Sequence, residues 1–147
     1  MKEENLIKSL PLGVILGKTL RELHLAFQTR INQELSAEGI TIEHLRLLKI
    51  VVENEGCDQN FLAQNTQRGK SAMTRIIGTM IENGYVTKQT SETDGRSNLI
   101  HSTLKGKQLA GKGLMILTRL TKELFGTDEQ ELNKLIALAN KTIEKLK

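Results

Sequence analysis

The sequence contains no Trp, one Tyr and three Phe, so its core has to be built from aliphatic side chains. It has one Cys, Cys57, which excludes an intramolecular disulfide and fits a reducing compartment. No apolar run approaches the roughly 20 residues needed to span a bilayer. Leu10–Leu16 is apolar but short, is interrupted by Pro11 and Gly13, and lacks a signal-peptide cleavage pattern. A soluble, cytoplasmic chain with no membrane partner is expected. Its three His (His24, His44 and His101) form no HxxxH or HxxH pair, and Cys57 has no nearby partner, so no metal site is expected. There is no Ser/His/Asp set and no GxSxG. Gly106, Gly111 and Gly113 are too spread out for a phosphate loop and lack a preceding strand–loop–Lys arrangement; they should instead loosen the start of a helix or permit close packing. Neither an enzyme nor a bound cofactor is expected.

At 147 residues the chain is long enough for one compact unit, or for a subunit built to pair. No internal repeat or low-complexity segment interrupts it. Residues 1–11 read as a polar lead-in stopped by Pro11. From Leu12 to Leu35, Leu16, Leu20, Leu23, Phe27 and Ile31 keep three- and four-residue spacing, which predicts a long amphipathic helix ended by Glu38-Gly39. Thr41 is a candidate N-cap, with Glu43 or His44 opening a helix that Leu45, Leu48, Ile50 and Val51 carry to Gly56. Asp58 is a second candidate N-cap, before a short helix ending at Gln67-Arg68-Gly69. After a central segment the chain returns to helix near Lys105, with Leu109, Leu114, Leu117, Leu120 and Leu124 on one segment. Gly126-Thr127-Asp128 should break it, and Leu132, Leu135, Ile136, Ala139, Ile143 and Leu146 mark a last helix. Long apolar helices at both ends suggest burial against a second chain.

The central segment is the most informative. Lys70-Ser-Ala-Met-Thr-Arg-Ile-Ile-Gly-Thr-Met-Ile-Glu-Asn-Gly84 places Met73, Ile76, Ile77, Met80 and Ile81 on one helical face. The other face carries Lys70, Ser71, Thr74, Arg75, Gly78 and Thr79, which are short, polar or basic, as entry into a DNA major groove requires. Asn83-Gly84 should end this helix, because Gly accepts the left-handed position after a C-cap. Two β-prone runs then flank Asp94-Gly95, a hairpin signal. Residues 68–107 hold seven Lys and Arg (Arg68, Lys70, Arg75, Lys88, Arg96, Lys105, Lys107) against three acids, an excess equal to the +4 net charge of the whole chain. The basic charge sits where a polyanion would lie. A groove-reading helix followed by a basic β-ribbon predicts a winged helix-turn-helix: a mainly α fold with a small hairpin wing, N- and C-terminal helices forming a dimerisation bundle.

Three motifs carry a family resemblance. Leu62-Ala63 precedes Lys70-Ser71 and Thr74-Arg75; Met80-Ile-Glu-Asn-Gly-Tyr-Val leads into the hairpin; Asp94-Gly-Arg96 is followed by Thr103 and Gly106, a D-x-R then T-x-x-G spacing. In this order and separation the chain resembles the MarR family of bacterial transcription regulators. The likeness covers residues 40–106 in motif detail and the whole chain in helix order. The resemblance implies a single unit over residues 1–147, with a DNA-binding region over 40–104 and a helical dimerisation region over 12–38 and 105–147. It implies a homodimer on a palindromic double-stranded operator, acting as a repressor released by a small ligand or other signal. Lys70, Ser71, Thr74, Arg75 and Thr79 would meet the major groove and its phosphates, with Arg68 and Lys88 adding basic contacts. Arg96 would sit at the wing tip near a minor groove, and Asp94 would orient a nearby Arg. The resemblance further implies an effector pocket between the dimer helices and the reader, for which His24, Phe27 and Leu47 are candidate lining. Some relatives use a reactive Cys, so Cys57 is a candidate redox switch, although it stands outside the N-terminal helix and the chain has one Tyr. Thr66 and Arg68 stand where the family usually has apolar residues, and Ser102 where it usually has an aliphatic one. The competing readings are a winged-helix protein-interaction module and a non-specific architectural DNA-binding protein.

Overall fold

The structure, a computed structural model, describes residues 10–90, 98–126 and 128–147. Six helices and three short strands follow one another in it: α1 Leu12–Ser36, α2 Ile42–Glu53, β1 Cys57–Asp58, α3 Gln59–Thr66, α4 Lys70–Glu82, β2 Val86–Thr90, β3 Asn98–Ser102, α5 Leu104–Phe125 and α6 Glu129–Lys145. The expected hairpin is thus part of a three-stranded antiparallel sheet in the order β1-β3-β2. Residue 86 faces 102 and 90 faces 98 across β2 and β3, while Cys57 faces Ile100 across β1 and β3. A two-residue strand has no periodicity to display, so β1 left no mark in the sequence.

Polar side chains cap the starts of four of the six helices. Thr41 and His44 form a reciprocal capping box: the Thr41 hydroxyl accepts from the His44 amide at 3.4 Å, and the Thr41 amide donates to His44 Nδ1 at 3.3 Å. The helix therefore opens at Ile42, a residue earlier than expected, and stops at Glu53 rather than Gly56. Asp58 accepts from the Phe61 amide at 2.8 Å and starts α3. Thr103 caps α5, accepting from the Gly106 amide at 3.0 Å, and Asp128 caps α6. Helix α4 ends in a Schellman arrangement, Tyr85 N–H to Met80 C=O and Gly84 N–H to Ile81 C=O, both at 2.9 Å, with Gly84 at φ +72°.

Two apolar clusters hold the elements together. Met73, Ile76, Ile77 and Met80 of α4 meet Leu47, Leu48 and Val51 of α2, Leu62 of α3, Val86, Ile100 and Ala110. Ile31 and Leu35 of α1 meet Ile40, Ile42, Leu45 and Leu120. Ile81, expected on the buried face of α4, is instead 37% exposed. Much of the apolar surface of the terminal helices is also uncovered: Leu16, Leu20 and Leu23 of α1, Leu114 and Leu124 of α5, and Leu135, Ile136 and Ile143 of α6 are exposed. No residue of α6 is buried.

Two of the three glycines of α5 are sites of close approach. A Cβ on Gly106 would lie 2.1 Å from the Tyr85 carbonyl oxygen, and one on Gly113 would lie 2.6 Å from a Leu45 methyl, whereas Gly111 faces open space. Gly106→Ala should therefore destabilise the fold by about 2–3 kcal/mol through overpacking against backbone. Gly111→Ala should stabilise it by about 0.5–1 kcal/mol through helix propensity. Urea unfolding of the two variants checks both signs.

Candidate nucleic-acid interface

Burial of Met73, Ile76, Ile77 and Met80 turns the opposite face of α4 outward. Lys70, Ser71, Thr74 and Arg75 on that face are exposed, while Gly78 and Thr79 are half-buried. The face is anchored to α3 by Gln59, whose amide donates to the Thr74 hydroxyl oxygen at 2.5 Å. Thr74 donates its own proton to the Lys70 carbonyl at 2.9 Å, and Thr79 donates to the Arg75 carbonyl at 3.2 Å. Both threonines thus have their hydroxyl protons engaged within the helix. Gln59 was absent from the expected site, since only a tertiary contact between α3 and α4 identifies it.

The basic residues divide into two groups. Arg68 is ion-paired with Glu43 of α2, Lys105 donates to the Asn83 carbonyl at 2.8 Å and lies 4.9 Å over the Tyr85 ring, and Lys107 pairs with Glu55 at 3.2 Å. These three serve joints within the protomer, so Arg68, a candidate phosphate contact, also braces the turn before α4 through Glu43. Lys70, Arg75 and Lys88 form no salt bridge among the described residues. The positive field is therefore concentrated at the start of α4 and on β2. Arg96 and Asp94 lie outside the described residues.

His44 stands beside this face. Burial, and then the Arg75 charge, push its pKa below the ordinary histidine value, so at neutral pH the ring is uncharged and Nδ1 can accept the Thr41 amide. Burial pushes the Cys57 thiol up, with the Asp58 and Glu55 carboxylates adding to it; a thiol held in this way is a poor nucleophile at neutral pH.

Within the protomer the three candidate pocket residues stand in different surroundings. His24 is exposed, and Phe27 packs edge-on against Phe125 at 5.5 Å between ring centres. Leu47 is buried and lines a cavity of about 430 Å³ between α2 and the α3–α4 turn, together with Glu43, Arg46, Ile50, Thr66, Arg68, Met73 and Ile76.

A base whose folded pKa is depressed binds fewer protons folded than unfolded, so its contribution to stability is present above the unfolded pKa and is lost as pH falls from there through the folded one. Acidification from pH 7 to 5.5 should therefore lower the urea midpoint through His44. The His44→Gln variant should show a shallower fall over the same window, and equal slopes for the two proteins would exclude His44 as the cause.

Comparison with known proteins agrees with this geometry. The MarR family model matches residues 38–97. Over 83 residues the chain is 29% identical to a putative transcriptional regulatory protein for the hcr operon of Thauera aromatica, covering 56% of this chain and 50% of that protein, so it spans half the length of this relative. A solved MarR transcriptional regulator from Methanosarcina mazei Go1 is 25% identical and superposes with a TM-score of 0.76 over 90% of this chain and 99% of its own. The S. aureus MepR–DNA complex shares the fold at 19% identity, with a TM-score of 0.76 over 88% of this chain and 94% of that one. With its helix order, its three-stranded sheet and an outward-turned basic helix, the chain has the fold of a solved MarR transcriptional regulator, and its residues 38–97 match the MarR family model.

Proposed function

We propose that the chain is a homodimeric regulator of transcription that reads a palindromic operator with α4 and represses until a signal releases it. The observation that carries the DNA-binding part is the exposed face of α4, where Lys70 and Arg75 have no acidic partner among the described residues. Short side chains beside them leave room for the backbone to approach base edges, and the two cations supply phosphate attraction. The relatives matched are transcription regulators, and a structural neighbour was solved bound to DNA. The chain is not an enzyme.

Pairing is supported by the uncovered leucines and isoleucines of α1 and α6. Leu12 is 82% exposed and Leu135 60%, a poor arrangement for an isolated protomer and a ready one for an apolar interface. A two-fold pair would set its reading helices roughly 34 Å apart, one turn of DNA. The sheet hairpin, with Arg96 between its strands in sequence, would straddle the adjacent minor groove, whose negative potential suits an Arg. Release requires a signal that binds one spacing of the readers better than the other. The cavity beneath Met73 and Ile76 supports a small-molecule route, because an occupant there would press on two of the residues that seat α4.

Selection of random duplex DNA by the purified protein at physiological salt tests the reading. An enriched inverted repeat with half-sites about one turn apart is expected. Binding without enrichment would instead mark a non-specific architectural protein, and absence of binding a protein-interaction module. On the enriched site Arg75→Ala should cost about 1–3 kcal/mol of affinity. Arg96→Ala should lower the slope of log affinity against log salt by about one unit, and an unaltered slope would exclude a wing–phosphate contact.

A further inference from the structure

Ser102, the last residue of β3, is polar where an aliphatic residue is expected. The structure supplies its partner. Glu55, in the turn between α2 and β1, accepts the Ser102 amide on Oε2 at 2.9 Å and the Ser102 hydroxyl on Oε1. The same carboxylate takes Lys107 Nζ of α5 on Oε1 at 3.2 Å, and His101 Nδ1 lies 3.8 Å from Oε2. Desolvation pushes the carboxyl upward, but the two Ser102 donors and Lys107 outweigh it and hold it below its ordinary value. One side chain thus joins three segments: the end of the second helix, the inner strand of the wing and the first turn of α5.

The neighbouring geometry adds to the joint. Gly56 donates its amide to the Ile100 carbonyl at 2.9 Å, so the residue after Glu55 is already laid along β3. Its φ of +79°, with His101 only 3.2 Å from where a Cβ would stand, holds the turn in the shape that aims Glu55 at Ser102. The side chain is 35% exposed, so the joint is a surface latch rather than a core contact. Its charge-assisted bonds are of the stronger kind, and they constrain direction more than they add stability.

We propose that Glu55 is a positioning residue for the wing, acting through Ser102 and Lys107 to fix the β2–β3 ribbon relative to α5. The latch touches no DNA; it determines where the ribbon points when α4 is seated. This rests on the DNA-binding reading above. Removing either member leaves α4 in place and lets the ribbon swing.

The test compares wild type, Glu55→Gln, Ser102→Val and the double variant, each as the full-length protein. In the free protein, hydrogen exchange at the Ser102 amide should quicken about tenfold in Glu55→Gln, while the Leu48 and Val51 amides keep their rates. On the selected duplex, each single variant should bind about tenfold more weakly and with a shallower salt slope. Hydroxyl-radical protection should fall at the minor-groove positions and persist at the major-groove ones. The double variant should lose little beyond either single one, as expected of two residues acting as a unit. Unchanged Ser102 exchange would overturn the latch. So would a uniform loss of protection with an unaltered slope, which is the mark of general destabilisation. If wild type binds no duplex, the DNA reading fails on its own, and the exchange result still decides the latch.

Discussion

The burial of one face of α4 is the constraint on which the rest depends. Met73, Ile76, Ile77 and Met80 fit against α2, α3 and the inner strand, and a helix so seated has no rotational freedom left. Its Lys70–Arg75 face is outward because its methionines and isoleucines are inward. Full burial of each such side chain is worth about 1.5–3 kcal/mol, so turning the helix to hide its cations would expose several of them at once. Reading face and core face are thus two consequences of one 3.6-residue pattern.

That pattern is also why so much was legible without coordinates. Helix order, the bounds of α4, the caps at Thr41 and Asp58 and the Gly84 exit all follow from local rules acting within a few residues of sequence. The failures share a cause. β1 is two residues long and exists only because Ile100 and Leu99 pair with it. Ile81 keeps helical spacing but falls at the edge of the stripe, beyond the elements that cover it. Gln59, Glu43 and Glu55 each act on a partner far away in sequence, and nothing in the linear order marks a carboxylate as bound for one cation rather than another. The cavity beside Leu47 was likewise not legible: a helical face groups residues by angle, whereas a cavity groups them by what the tertiary fold leaves unfilled.

Net charge alone overstates the reading surface. Of the seven basic residues between 68 and 107, Arg68, Lys105 and Lys107 fasten one element to another. They brace the turn, the exit of α4 and the start of α5. Lys70 and Arg75 lie on the face of α4 that the core turns outward, and Lys88 lies on β2. Electrostatic attraction and mechanical support have therefore been divided among residues of the same type, and the position of their partners separates the two roles: an acid for Arg68 and Lys107, a carbonyl and a ring for Lys105. Paired surface charges contribute little stability individually, so their value in this fold is directional.

The contact between Gly106 and the Tyr85 carbonyl has a mechanical consequence. Helix α5 runs past the exit of α4 with no room for a methyl group, while Thr103 donates to the Gly84 carbonyl at 2.7 Å at the same junction. Such a junction has no slack and acts as a weld rather than a hinge. The reading helix and the long helix behind it then move as one lever, with the long helix as the arm. In a paired assembly, a shift of either long helix would carry its own α4 with it.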